Sequence, residues 1–185
     1  MASARQRVSR MTGTGIFLAR HGQTAFNAEP RFQGHLPVPL DATGRAQAAA
    51  LAERAVPYGF AVLYASPLER ARETAEVVAA RLHLEPRFDA RLAETDTGDW
   101  TGRSMAEVKA KAPEEFQRWV NGDPSFRFPG GESFSEQVAR VQAAIEDIRA
   151  APERPALVVS HRHTMRFALG GDWRPFDNAE IVPLT

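Results

Sequence analysis

Ile16-Phe17-Leu18-Ala19-Arg20-His21-Gly22-Gln23-Thr24 sets a short apolar run directly against a cationic and polar turn. Ala156-Leu157-Val158-Val159-Ser160-His161 has the same form near the other end of the chain. A third run, Phe60–Ala65, stops at Ser66-Pro67. Short continuous apolar runs bounded by breakers or polar groups read as strands buried on both faces, the habit of parallel sheets. Two of the three runs therefore deliver a histidine to a strand end, and one of these histidines has an arginine beside it.

Helical patterns separate the runs. Residues 42–55 are alanine-rich, with Asp41 or Thr43 placed to cap them. Over 67–82, Leu68, Ala71, Ala75, Val78 and Leu82 form one stripe. Ser66 is the expected cap there, with Pro67 at the first helical position and Glu69 completing a capping box. Ser133 and Glu136 form another such box ahead of Phe134, Val138, Val141, Ile145 and Ile148. Strands alternating with helices predict an α/β layered sheet. Residues 91–132 break the alternation with five glycines and one or two short helices between Ser104 and Val120. We expect this stretch to cross over the sheet and cover a site rather than form a second domain, because too little of it is apolar for a core of its own.

The chain has 185 residues, 43% of them hydrophobic and 25% charged, which fits one ordinary globular domain. Its 23 basic and 23 acidic side chains cancel, so no global field draws it to nucleic acid or an anionic membrane. The absence of cysteine removes disulfides, thiolate metal sites and cysteine nucleophiles, and fits a reducing compartment, with a cytoplasmic location as the expectation. No apolar stretch approaches the length of a spanning helix. Residues 1–14, with Arg5, Arg7 and Arg10 and no acidic group, read as a disordered leader, and the single domain is expected over 15–185. The sequence carries no signal for an oligomeric state.

In open α/β sheets, ligands sit beyond the carboxyl ends of the strands. Applied here, that rule gathers Arg20 and His21, Ser66 with Arg70 in the following helix, and Ser160 with His161. Arginine forks match phosphate oxygens, so the set suits a phosphoryl group. His21, His161 and Glu94 would also make a two-histidine, one-carboxylate metal set. Arg20 and Arg70 would crowd a cation there, and no metal is expected.

The ordered series of short motifs resembles the histidine phosphatase (phosphoglycerate mutase-like) superfamily. The series runs from Arg20-His21-Gly22-Gln23-Thr24 with Asn27, through Arg31, Gln33-Gly34, Pro39-Leu40, Gly44 and Gln47-Ala48, to Ser66-Pro67-Leu68-Glu69-Arg70-Ala71 with Thr74-Ala75. It continues with Leu92, Glu94, Gly98, Trp100 and Gly102, then Gly130-Gly131-Glu132-Ser133 and Val159-Ser160-His161. The resemblance implies a three-layer α/β/α sandwich around a mostly parallel central sheet. It also implies roles. His21 would attack phosphorus and carry a phosphohistidine. Arg20, Arg70 and His161 would surround the phosphoryl oxygens. Asn27, Gln33 and Gly34 would help bind substrate. Glu94 would protonate the leaving alcohol, with its pKa raised by the neighbouring phosphate, and then activate water. No cofactor is implied, and the partner is a small phosphorylated substrate.

Departures from the pattern are local. Arg162-His163 follows His161 where the family often has glycine, Pro37 stands where aspartate is common, and Thr101 replaces a frequent glutamate. Arg162 is read equally as added charge at the pocket or as a solvated side chain. Phe26, Phe32, Trp100 and Phe126 are candidates for a pocket wall, with a core role as the alternative. Between Glu94 and Gly130 the chain is short. The mutases of the family carry a longer, basic insertion there, so the expectation is a metal-independent phosphomonoesterase of the phosphatase branch. The alternatives are a cofactor-dependent phosphoglycerate mutase and a non-catalytic binder of phosphorylated ligands.

Overall fold

Alternation along the first strand determines how the layers form. In a computed structural model that describes residues 15–170 and 175–184, the opening run is β1, Ile16–Arg20. Successive side chains of a strand point to opposite faces. Ile16 and Leu18 accordingly pack on one side of the sheet, and Phe17 and Ala19 on the other. The expected leader, 1–14, lies outside the described residues.

Helix α1 is the single turn Ala25–Ala28, and α2 spans Ala42–Ala55. Strand β2 is Val62–Ala65, α3 is Glu69–Leu82, and β3 is Pro86–Phe88. Two short helices follow, α4 (Met105–Lys111) and α5 (Pro113–Val120), and then the long α6, Phe134–Ala150. Strand β4 (Ala156–Ser160), α7 (Arg162–Ala168) and β5 (Ile181–Leu184) complete the described elements. The strands pair in the order β3-β2-β4-β1-β5, all parallel except β5, which runs antiparallel to β1. All five residues of β4 are buried, as a central strand covered on both faces requires. The α/β reading from the sequence holds. No helix among the described residues is long and apolar enough to cross a membrane.

On one face, Leu51, Ala52 and Ala55 of α2 and Ala71, Ala75 and Val78 of α3 pack on Leu63, Leu157 and Val159. On the other face, Val141, Ile145 and Ile148 of α6 and Met165 of α7 meet Val158, with aromatic rings from the 91–132 stretch joining them. Trp100 packs edge-on to Phe32 and Phe128, and Phe126 lies against Phe134. The stretch therefore places its rings in the core that α6 and α7 share.

Three local expectations change. The helix expected from Pro67 begins at Glu69, with Leu68 at the cap. Ser66 does not cap the helix; its Oγ accepts from Leu68 N–H at 3.2 Å and lies 2.7 Å from His161 Nε2. The second run begins at Val62 rather than Phe60. Strands β3 and β5 had no counterpart in the sequence reading. Each is short, lies at an edge, and contains proline, which edge strands tolerate. The cap of α2 is Asp41, whose carboxylate accepts from Gly44 N–H at 2.7 Å.

Candidate active site

Parallel register brings the two strand-end histidines together. Arg20 pairs with Ser160, and His21 N–H donates to the Ser160 carbonyl at 3.0 Å. The next residue along each strand is a histidine, and the two rings lie 5.1 Å apart between centroids. The turn after His21 is possible only with glycine at 22 and 44. A Cβ on Gly22 would lie 2.4 Å from the Gly44 carbonyl oxygen. This close approach of two backbones fixes the peptide beside His21.

His21 is buried, and its Nδ1 donates to the Gly22 carbonyl at 2.7 Å. The proton therefore sits on Nδ1 and the lone pair on Nε2. Burial, then the charges of Arg70 and Arg20, hold His21 well below the ordinary value of 6.5, so the ring is neutral at pH 7. His161 is lowered in the same way, by burial and then by Arg70. Its Nδ1 is buried with no hydrogen-bond partner.

Arg70, 1% exposed, extends from the first turn of α3 and donates to the Gly34 carbonyl at 3.0 Å. Arg20 donates to the Phe176 carbonyl at 2.7 Å. Burial first, and then neighbouring cations, bring both guanidiniums down to about 10, which leaves them charged at neutral pH. Each has a buried Nε with no hydrogen-bond partner. Two desolvated cations with unsatisfied donors make a site built for an anion.

Glu94 follows a single 3-10 turn, Ala90–Leu92, and the segment is anchored from three sides. Ser160 Oγ donates to the Leu92 carbonyl and Thr164 Oγ1 to the Ala93 carbonyl, both at 2.8 Å. Arg140 of α6 donates to the carbonyls of Arg91, Ala93 and Glu94. The Glu94 carboxylate accepts from Thr95 N–H at 3.0 Å and lies 3.5 Å from His163 Nδ1. Burial pushes its pKa up, but His163, His161 and the Thr95 N–H outweigh burial, so the carboxyl lies well below its ordinary value. The raised pKa expected from the sequence is not a property of the protein alone. A phosphate dianion beside the carboxyl acts in the opposite direction to these groups.

A cavity of about 280 Å³ is lined by Arg20, His21, Asn27, Gln33, Gly34, Arg70 and Glu94. The His161 ring lies 5.1 Å from that of His21 and feels the charges of Arg70 and Glu94. Asn27 Oδ1 accepts from Thr24 N–H and Oγ1, which leaves its NH₂ end for the cavity. Gln33 Oε1 lies 3.1 Å from the same Thr24 hydroxyl, whose one proton the two amide oxygens share. Arg162 is exposed and lines the cavity, so it is at once solvated and part of the pocket. Among the described residues, no three His, Asp or Glu side chains converge to hold a metal ion.

Residues 16–174 match the sequence profile of the histidine phosphatase superfamily (branch 1). The chain belongs to this family. It is 36% identical over 152 residues to phosphoserine phosphatase 1 of Hydrogenobacter thermophilus, covering 82% of this chain and 72% of that protein. It is 39% identical over 148 residues to a probable phosphoglycerate mutase of Escherichia coli, covering 79% and 68%. Among solved structures, a mycobacterial glucosyl-3-phosphoglycerate phosphatase in complex with VO3 superposes with a TM-score of 0.86 at 31% identity, covering 94% of this chain and 93% of that one.

Within this histidine phosphatase, the wall of the cavity differs from the sequence reading. Phe32 lines it, but Trp100 and Phe126 lie in the core and Phe26 lies outside the lining. Met105, Trp119 and Val120 of α4 and α5 complete the wall. Trp119 carried a signal, an aromatic residue in a short amphipathic helix of the covering stretch. Arg140 carried none, because a charged residue on a long amphipathic helix reads as solvated.

Proposed function

We propose that this histidine phosphatase hydrolyses phosphate monoesters of small metabolites through a phosphohistidine on His21, without a metal ion. The observation that carries the reading is the His21 ring itself: neutral, with Nδ1–H pinned to the Gly22 carbonyl and Nε2 free beside the buried Arg70 and half-buried Arg20 guanidiniums. In the first half-reaction the Nε2 lone pair attacks phosphorus, the ester P–O bond breaks, and the leaving oxygen takes a proton from the Glu94 carboxyl. Arg20 and Arg70, with the NH₂ ends of Asn27 and Gln33, neutralise charge on the phosphoryl oxygens. His161, whose buried Nδ1 has no hydrogen-bond partner, joins them around the phosphoryl oxygens. In the second half-reaction water gives a proton to the Glu94 carboxylate and attacks phosphorus. The P–N bond breaks, its electron pair returns to Nε2, and inorganic phosphate leaves.

The same reading takes residues 15–185 as one domain, with 91–132 as its cover. The arginines supply the positive charge that a metal would otherwise bring, and the absence of cysteine fits a cytoplasmic location. A mutase reading has support in the relative named as a probable phosphoglycerate mutase. The short 95–130 stretch and the relatives named as phosphatases favour hydrolysis.

Steady-state hydrolysis of p-nitrophenyl phosphate between pH 5 and 8 with EDTA present, comparing wild type with His21→Ala, tests the proposal. Activity that survives EDTA and disappears in the variant is expected. Activity abolished by EDTA would overturn metal independence, and activity retained in His21→Ala would overturn the nucleophile. Conversion of primed 3-phosphoglycerate without phosphate release would establish the mutase.

A further inference from the structure

The residue two positions beyond His161 has no part in the scheme above, yet it touches the group that moves the proton. His163 meets Glu94 twice through the same oxygen. Its backbone N–H lies 3.4 Å from Oε2, and its ring Nδ1 lies 3.5 Å from that atom. The ring lies between Trp119, with centroids 6.1 Å apart, and Phe134, 6.4 Å away and inclined by 28°. It also lines the cavity. The opposite oxygen of Glu94 is held by Thr95 N–H and, at 3.4 Å, by Gln137 Nε2. Gln137 cannot turn its carbonyl end to Glu94, because its Oε1 already accepts from Thr95 Oγ1. The two carboxylate oxygens therefore differ. Oε1 faces fixed donors that keep their protons, and Oε2 faces an imidazole that can exchange one.

We infer that His163 is a positioning and proton-relay residue for Glu94, orienting Oε2 and passing it the proton that the leaving oxygen receives. The inference rests on the phosphatase reading above. The chemistry needs such a partner, because Glu94 must be protonated in the first half-reaction and ionised in the second. As substrate binds, protonated His163 gives its proton to the Glu94 carboxylate, leaving neutral imidazole and a carboxylic acid. The acid protonates the leaving oxygen. In the second half-reaction Glu94 takes a proton from water and returns it to His163. The pair then stands as it began, and the net reaction is ester hydrolysis alone. His161 and Arg162 adjoin His163 in the chain, and neither is within ion-pair distance of Glu94 among the described contacts.

A ring that merely fills space between Trp119 and Phe134 would be replaced adequately by phenylalanine. The test compares wild type, His163→Phe and His163→Asn on p-nitrophenyl, phenyl and p-methylphenyl phosphates. The readout is kcat/KM, which excludes the second half-reaction. p-Nitrophenolate leaves readily without a proton, whereas the other two phenolates depend on one. In His163→Phe, kcat/KM for phenyl phosphate is expected to fall about tenfold further than for p-nitrophenyl phosphate. His163→Asn restores a donor near the Nδ1 position but not an exchangeable proton, so the gap is expected to persist in it, and a gap that closes would overturn the relay. Parallel losses on all three esters, or no loss on any, would overturn the role of His163 while leaving the phosphatase reading intact. Wild type that releases no phosphate from any ester would overturn both.

Discussion

Arg140 Nη2 donates to the Glu94 backbone carbonyl at 3.0 Å and also to Glu132 at 2.8 Å, with Nε completing the pair with Glu132 at 2.6 Å. One side chain on α6 thus ties the Glu94 segment to the start of its own helix. The Ala93 and Arg91 carbonyls bind the same guanidinium. Glu94 is placed by a residue that never reaches the cavity.

Arg140→Met removes three hydrogen bonds to backbone carbonyls and leaves Glu132 with only the Asp96 N–H. The expected cost is about 2–3 kcal/mol, the desolvation penalty of partly buried polar groups losing their partner. For a chain of this size that corresponds to a fall in Tm of about 4–12 °C. Turnover should fall with it, because a carboxyl displaced by about 1 Å loses up to about a hundredfold. Thermal unfolding followed alongside kcat checks both, and a variant with unchanged kcat would show that Glu94 is placed by other contacts.

Gly22→Ala addresses the turn that fixes His21. The added methyl meets the Gly44 carbonyl oxygen at 2.4 Å, and the obstacle is backbone, so the two segments must part. Overpacking of this kind costs about 1–3 kcal/mol. The Gly22 carbonyl that selects the His21 tautomer moves with it, so activity should fall more than stability does. A fully active, stable Gly22→Ala protein would mean that the approach of residues 22 and 44 is not required.

Most of the site was legible because its residues sit at the ends of apolar runs. Arg20 ends a strand, and His21 and His161 follow strands, whose burial shows in their composition, and parallel pairing makes such ends converge. Arg70 and Glu94 depended on the family resemblance, since an arginine in a first helical turn and a loop carboxylate carry no signal alone. The partners that hold them were hidden for physical reasons. Arg140 and Gln137 are polar residues on an amphipathic helix, and only tertiary contact distinguishes them from solvated neighbours. Ser66 had a sound local reading as a helix cap, which lost to His161, a partner 95 residues away. Strands β3 and β5 are too short, and too interrupted by proline, for periodicity to show.

Arg70→Met separates stability from ligand binding. Arg70 is buried, its Nε has no partner, and no carboxylate lies within ion-pair distance of it among the described residues. An anion in the cavity relieves that uncompensated charge, so inorganic phosphate should stabilise the wild type, by about 2.7 kcal/mol at a hundred times its Kd. The same phosphate should leave the Tm of Arg70→Met almost unchanged. Equal stabilisation of both proteins would place the anion elsewhere.

The two buried histidines make acid stability and ligand state depend on each other. In the unfolded chain His21 and His161 take up protons near pH 6.5, but in the folded protein burial and then Arg70 hold both well below that value. Below pH 6.5 the unfolded state therefore binds more protons. Stability from this source is complete above pH 6.5 and is lost as the pH falls toward the depressed folded values, at up to about 1.4 kcal/mol per pH unit for each histidine. A phosphate dianion against His21 favours the protonated ring and should raise its pKa. Histidine ¹H–¹³C spectra recorded from pH 8 to 5, with and without phosphate, read both effects directly. The His21 and His161 resonances are expected to stay in their neutral positions through pH 6.5 in the free protein, and the His21 titration to move upward with phosphate. A free-protein His21 that remains protonated at neutral pH would remove the neutral nucleophile on which the phosphohistidine route depends.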